Sequence, residues 1–107
     1  MLYQLFVYVP IIASEKVKNA LFDAGAGRYE NYDQCSWESS GVGQFRPLEG
    51  SNPFLGSLST LEKVEEIKIE MICKPEILKA VLKRLKEVHP YEEPAYGVIE
   101  FKTIEDF

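Results

Sequence analysis

Histidine occurs once in these 107 residues and cysteine twice. That scarcity leaves too few ligands for a structural zinc site, which takes four His or Cys side chains, unless copies of the chain share one. Cys35 and Cys73 stand far apart without CxxC spacing, so neither a zinc ribbon nor a redox dithiol is indicated, and free thiols suit a cytoplasmic protein. Positive charge is also short, with 12 Lys and Arg against 17 Asp and Glu and a formal net charge of -5. A field of that sign repels phosphate backbones and anionic membrane surfaces, which argues against nucleic acid and membrane partners. The largest basic cluster, Lys79, Lys83, Arg84 and Lys86, is diluted by Glu76 and Glu87 and reads as the wet face of a helix. No long apolar run is present. The opening MLYQLFVYVPIIASEKV has no basic leader and is interrupted by Gln4 and Pro10, so it fits neither a secretory signal nor a membrane span.

What is present suits a globular fold. Hydrophobic residues make up 46% of the chain and charged ones 27%, a balance that favours a soluble core-forming protein over disorder. A chain of this length can bury a core without disulfides or metal, and one domain spanning residues 1–107 is expected.

Leu2 to Val9 is rich in β-branched and aromatic residues and is stopped by Pro10, which predicts a first strand. Ser14 reads as the N-cap of a helix with Val17, Ala20, Leu21 and Ala24 on its apolar face and Gly25 at its end. Tyr32 to Glu38 reads as a second strand. SSGVGQFRPLEGSNPFLGSLS then reads as a long loop, with room for a short hairpin around Gly43 to Arg46. Val64 to Lys74 alternates, with Ile67, Ile69 and Met71 on one side and Glu66, Lys68 and Glu70 on the other. Pro75 opens a second helix with the stripe Leu78, Val81, Leu82, Leu85 and Val88, His89-Pro90 ends it, and Tyr96 to Lys102 forms the last strand.

Two βαβ halves, each with one helix face to bury, predict a ferredoxin-like βαββαβ sandwich: a four-stranded antiparallel sheet with both helices on one side. The other side must then carry large groups, for which Tyr3, Tyr8, Trp37, Tyr96 and Val98 are the candidates. Such a face invites self-association with closed symmetry.

The glycine-rich strings are poor phosphate cradles. GVGQF opens no helix and carries no Lys-Ser or Lys-Thr pair, and AGAGR is accounted for by a helix C-cap at Gly25. HPYEEPAY, at positions 89 to 96, holds the lone histidine and two adjacent glutamates. It suits a helix-terminating turn, and its polar and aromatic mixture also suits a binding edge.

Taken in order across nearly the whole chain, AGAGRYENYDQCSW, GVGQFRPLEGSNPFLG, LEKVEEIKIE and HPYEEPAY resemble the YqfO-type domain of the Nif3-like family. HPYE is also similar to an element of CutA, the trimeric ferredoxin-like protein linked to divalent cation tolerance and related in architecture to PII signalling proteins. The resemblance implies a CutA-like or PII-like fold, and a trimer with the long loop and the HPYE segment near subunit contacts. Larger Nif3-like proteins hold paired metal ions in flanking domains rich in His and carboxylates, and some carry a GTP cyclohydrolase label. With one histidine here, neither is carried over, no catalytic residue is assigned and no cofactor is indicated.

The expected function is non-enzymatic: an oligomeric binding or regulatory domain taking a small ligand or another protein in a cleft between subunits. Tyr32, Cys35, Trp37, His89, Tyr91, Glu92 and Glu93 are the candidate ligand-binding residues. The first alternative is a CutA-like divalent metal-binding protein using His89, Glu92 or Cys35. The second is a hydrolase with Cys35 as nucleophile and His89 as base.

Overall fold

Alternation along the first strand sets the architecture. In the computed structural model, which describes residues 1–107, β1 (Leu2–Pro10) buries Leu5, Val7 and Val9 completely while Phe6 and Tyr8 between them stay partly or largely exposed. It is followed by α1 (Ser14–Asp23), β2 (Trp37–Phe45), β3 (Glu62–Cys73), α2 (Pro75–Val88) and β4 (Tyr96–Phe101). The four strands form one antiparallel sheet in the order β2-β3-β1-β4. This is the ferredoxin-like arrangement that two βαβ halves require. No helix is long and apolar enough to cross a membrane.

Register assigns each side chain to a face, because directly opposed residues in a pleated sheet point the same way. Leu5 lies opposite Met71 and Val7 opposite Ile69. Those residues meet Val17, Leu21 and Phe22 of α1 and Val81 and Leu85 of α2 in one core. Full burial of each large aliphatic side chain contributes about 1.5–3 kcal/mol. Cys73 also belongs to this core, and burial pushes its thiol up to about 11.

Helix ends follow local chemistry. Gly25, at φ 111°, takes the left-handed position after α1. Its N–H donates to the Phe22 carbonyl and the Ala26 N–H donates to that of Leu21, a Schellman closure that sets buried Ala26 in the same core as Leu21. At the other end the expectation for Ser14 fails. The helix begins at Ser14 itself, after a 3-10 turn over Ile11–Ala13, and the Ser14 hydroxyl donates back to the Ile11 carbonyl. Pro75 opens α2 as expected, and its stripe packs inward with Val81 and Leu85 at the centre.

Two further expectations are corrected. The second strand is not residues 32–38 but Trp37–Phe45, so the WESSGVGQF stretch read mostly as loop is an edge strand. Its small residues are exposed on both sides and give no apolar alternation to read. Tyr3, Tyr96 and Val98 share the helix-covered face, since they lie at or opposite the buried parity of β1: Tyr3 pairs with Cys73, Val7 with Tyr96 and Leu5 with Val98. The open face instead carries Trp37 and Phe45 from β2, Phe6 and Tyr8 from β1, and Ile99 and Phe101 from β4.

Candidate functional site

A cleft of about 620 Å³ lies at one end of the open face. Its floor is β2, where Ser39, Gly41 and Gly43 occupy successive open-face positions and the backbone is bare at Gly41. Glycine at 43 has a steric cause, because a Cβ there would run into the Glu66 carboxylate. The far wall is the 46–61 connection, contributing Pro47, Pro53, Phe54 and Leu55, which folds back beside the sheet. The near wall is the segment after α2, with Tyr91, Glu92 and Glu93.

Tyr91 joins these walls. Its ring lies 6.1 Å from that of Phe45, 6.4 Å from that of Phe54 and 5.0 Å from the His89 imidazole. Its hydroxyl donates to Glu66 Oε2 at 2.9 Å. Burial, aided by the Glu66 carboxylate, lifts the Tyr91 phenol far above its ordinary range, so it remains a donor. Glu92 accepts from the Asn52 backbone N–H at 2.8 Å and so ties the near wall to the far one.

His89 supports the cleft from beneath. It is 6% exposed, its Nε2 is 2.8 Å from the Tyr8 carbonyl, and the Tyr91 N–H donates to its Nδ1 at 3.1 Å. These partners fix the neutral tautomer with the proton on Nε2. Burial lowers its pKa, partly opposed by the Tyr8 carbonyl and Glu66. The imidazole thus takes over at the point where the ladder between β1 and β4 ends with the Tyr8 N–H on the Ala95 carbonyl.

The remaining sequence candidates are elsewhere. Cys35 and Trp37 line a second, shallower concavity of about 470 Å³ with Gln4, Tyr29, Glu70 and Phe101. Tyr32 is largely exposed in a turn where its backbone and that of Tyr29 exchange hydrogen bonds of 2.9 Å. The structure does not bring Cys35 and His89 together. Cys35 neighbours Gln4 in the second concavity whereas His89 holds Tyr8, four residues or about 13 Å along β1. No three His, Cys, Asp or Glu side chains are grouped to hold a metal ion within one chain.

Sequence reasoning named three residues of the cleft, Tyr91, Glu92 and Glu93, and missed Phe45, Phe54, Glu66 and Lys68. Only the alternation of β3 carried a signal for the last two, placing them on the sheet face opposite Ile67 and Ile69.

No family model matches the chain. It is 47% identical over 97 residues, 91% of its length, to a protein of Halalkalibacterium halodurans named GTP cyclohydrolase 1 type 2 homolog, of which the match covers 26%. The chain therefore spans about a quarter of the length of the curated relatives it matches. Among solved structures, a Bacillus cereus protein related to NIF3 superposes with a TM-score of 0.81 at 39% identity, over 95% of this chain and 26% of that one. The periplasmic divalent cation tolerance protein CutA from Archaeoglobus fulgidus superposes at 0.69 with 17% identity, over 96% and 86% respectively, a likeness of fold.

Proposed function

We propose that this chain, a relative of one stretch of the Nif3-related proteins with the fold of CutA, is a non-enzymatic, oligomeric binding domain that takes a small ligand in the cleft beside Tyr91. The observation that carries the reading is the cleft itself. At about 620 Å³ it is in the size range of small-molecule sites, and it combines apolar walls with a few fixed polar groups. Tyr91, Glu92 and Glu93 are assigned to ligand contact, and His89 to positioning Tyr91.

What one copy leaves uncovered supports the oligomeric part of the reading. Trp37 on β2 is 70% exposed, Ile99 on β4 is exposed as well, and these two strands are the unpaired edges of the sheet. A closed trimer is the assembly we favour, in line with the CutA fold. In it the end bearing Tyr32, Cys35 and Trp37 in one copy would border the Tyr91 cleft of the next and complete the ligand site.

Native mass spectrometry combined with a thermal-shift screen over nucleotides and divalent metals tests this. Trimers stabilised by at least one compound are expected. A monomer indifferent to every compound would remove the proposal.

A second reading, divalent metal binding, draws on the CutA fold of proteins described by divalent cation tolerance. Its ligands would have to converge from separate copies, with His89, Glu92 or Cys35 contributing. Copper and zinc titration of His89→Ala and Cys35→Ser separates the two readings, because binding that survives both substitutions clears those residues of the role.

A further inference from the structure

Charge and shape in the cleft identify a class of ligand. Three carboxylates, Glu66, Glu92 and Glu93, line it against one ammonium, Lys68. That ammonium is already engaged: it lies 3.6 Å from Glu70, outside the cleft, and over the rings of Phe6 and Tyr8 at 5.4 and 5.8 Å. None of the three carboxylates has an ion-pair partner. Glu66 and Glu92 each hold one neutral donor, the Tyr91 hydroxyl and the Asn52 N–H, and Glu93 holds none. The cleft therefore offers an excess of negative charge beside the rings of Phe45, Phe54 and Tyr91. Aromatic faces and carboxylates attract the same kind of guest, a cation carrying apolar surface.

The floor adds a shape. Ser39 and Gly41 present almost no side chain at consecutive open-face positions, with the Glu66 carboxylate lying over Gly43 beyond them, so a flat group can lie against the strand at Gly41. A Cβ added at Gly41 would meet nothing within 4 Å. The bare strip at that position is thus unused by the fold's own packing.

We infer that the cleft binds small organic cations with a planar apolar body, an arylalkyl ammonium being the simplest example. The ammonium sits between Glu93 and Glu92, and the ring lies over Gly41 beside Tyr91, whose hydroxyl reaches Glu66 opposite that glycine. This inference rests on the cleft being the ligand site, and its test separates the two.

Isothermal titration of the full chain would use three soluble compounds of matched shape: 2-phenylethylammonium chloride, 2-phenylethanol and sodium 3-phenylpropionate. The ammonium is expected to bind about tenfold more tightly than the alcohol, and the carboxylate most weakly. Glu93→Gln is expected to lower ammonium affinity by about threefold and leave the alcohol unchanged. Gly41→Leu is expected to abolish binding of all three while the unfolding temperature and the native mass stay as in the parent.

If the three compounds bind equally and Gly41→Leu removes them all, the cleft stands and its preference for cations is overturned. Binding indifferent to Gly41→Leu overturns both, as does a Gly41→Leu protein that falls apart into single copies, since the strip then serves contact between copies. Failure of all three compounds to bind overturns the cation inference. It leaves the cleft reading to the nucleotide and metal screen.

Discussion

The two faces of this sheet are built from alternate residues of the same four strands, yet they are packed to different standards. On one side Leu5, Val7, Val9 and Ile69 are sealed beneath α1 and α2 with at most 1% exposure. On the other, Phe6, Tyr8, Lys68 and Trp37 are partly or largely exposed, and one end forms a cleft walled by two connections. The difference teaches where stability and recognition are invested. The helix face holds the fold together chiefly by apolar packing, with the Lys18–Glu38 pair at its edge, while the open face uses polar groups to shape a space.

The sharpest way to break that comparison is to damage each face in turn. Leu85→Ala, in the fully buried core, is expected to cost about 2–5 kcal/mol in urea unfolding. The clamp beneath the cleft comes next. His89→Ala removes both ring hydrogen bonds and leaves the Tyr8 carbonyl and the Tyr91 N–H without those partners, an expected loss of about 1–3 kcal/mol.

His89 also gives the comparison a pH dependence. Its folded pKa lies below the ordinary 6.5. Between that lowered value and 6.5 the unfolded chain therefore binds more protons than the folded one, and stability falls as pH falls. The contribution is fully present above pH 6.5 and is lost on acidification towards the folded pKa. Urea unfolding at pH 5 and pH 7.5 should show this loss in the parent chain, and the slope should be shallower in His89→Ala. An unchanged slope would mean that the imidazole is not held neutral.

Smaller effects are expected further out. Tyr91→Phe deletes the bond to Glu66 and should cost about 1 kcal/mol. Trp37→Ser, on the exposed open face, should change the stability of dilute single chains by no more than about 0.5 kcal/mol. The same substitution should shift native mass spectra towards monomer. If Trp37→Ser instead unfolded the chain as Leu85→Ala does, the open face would be core and the contrast between the faces would disappear.

The helix face was the legible one. Apolar spacing marked Val17, Leu21, Val81 and Leu85 as interior, and alternation in β3 marked Ile69 and Met71, all of which are buried. These are pattern signals imposed by burial itself. β2 was illegible for the opposite reason. Its Ser and Gly residues pack against nothing that demands an apolar side chain, so an edge strand looks like turn sequence until β3 pairs with it. Tyr3, Tyr96 and Val98 were placed on the wrong face because residue size does not reveal register. Phe45, Phe54 and Glu66 were missed similarly, since they lie on β2, the 46–61 connection and β3 and meet Tyr91 only in the folded chain.

The contrast between the two thiols has a practical consequence. Cys73 is 2% exposed and stays protonated, while Cys35 is partly accessible at the rim of the second concavity beside Trp37, the chain's sole tryptophan. A maleimide dye should therefore attach at one position of the unmodified protein, within quenching range of one indole, giving a built-in optical reporter of whatever comes to cover that end of the sheet.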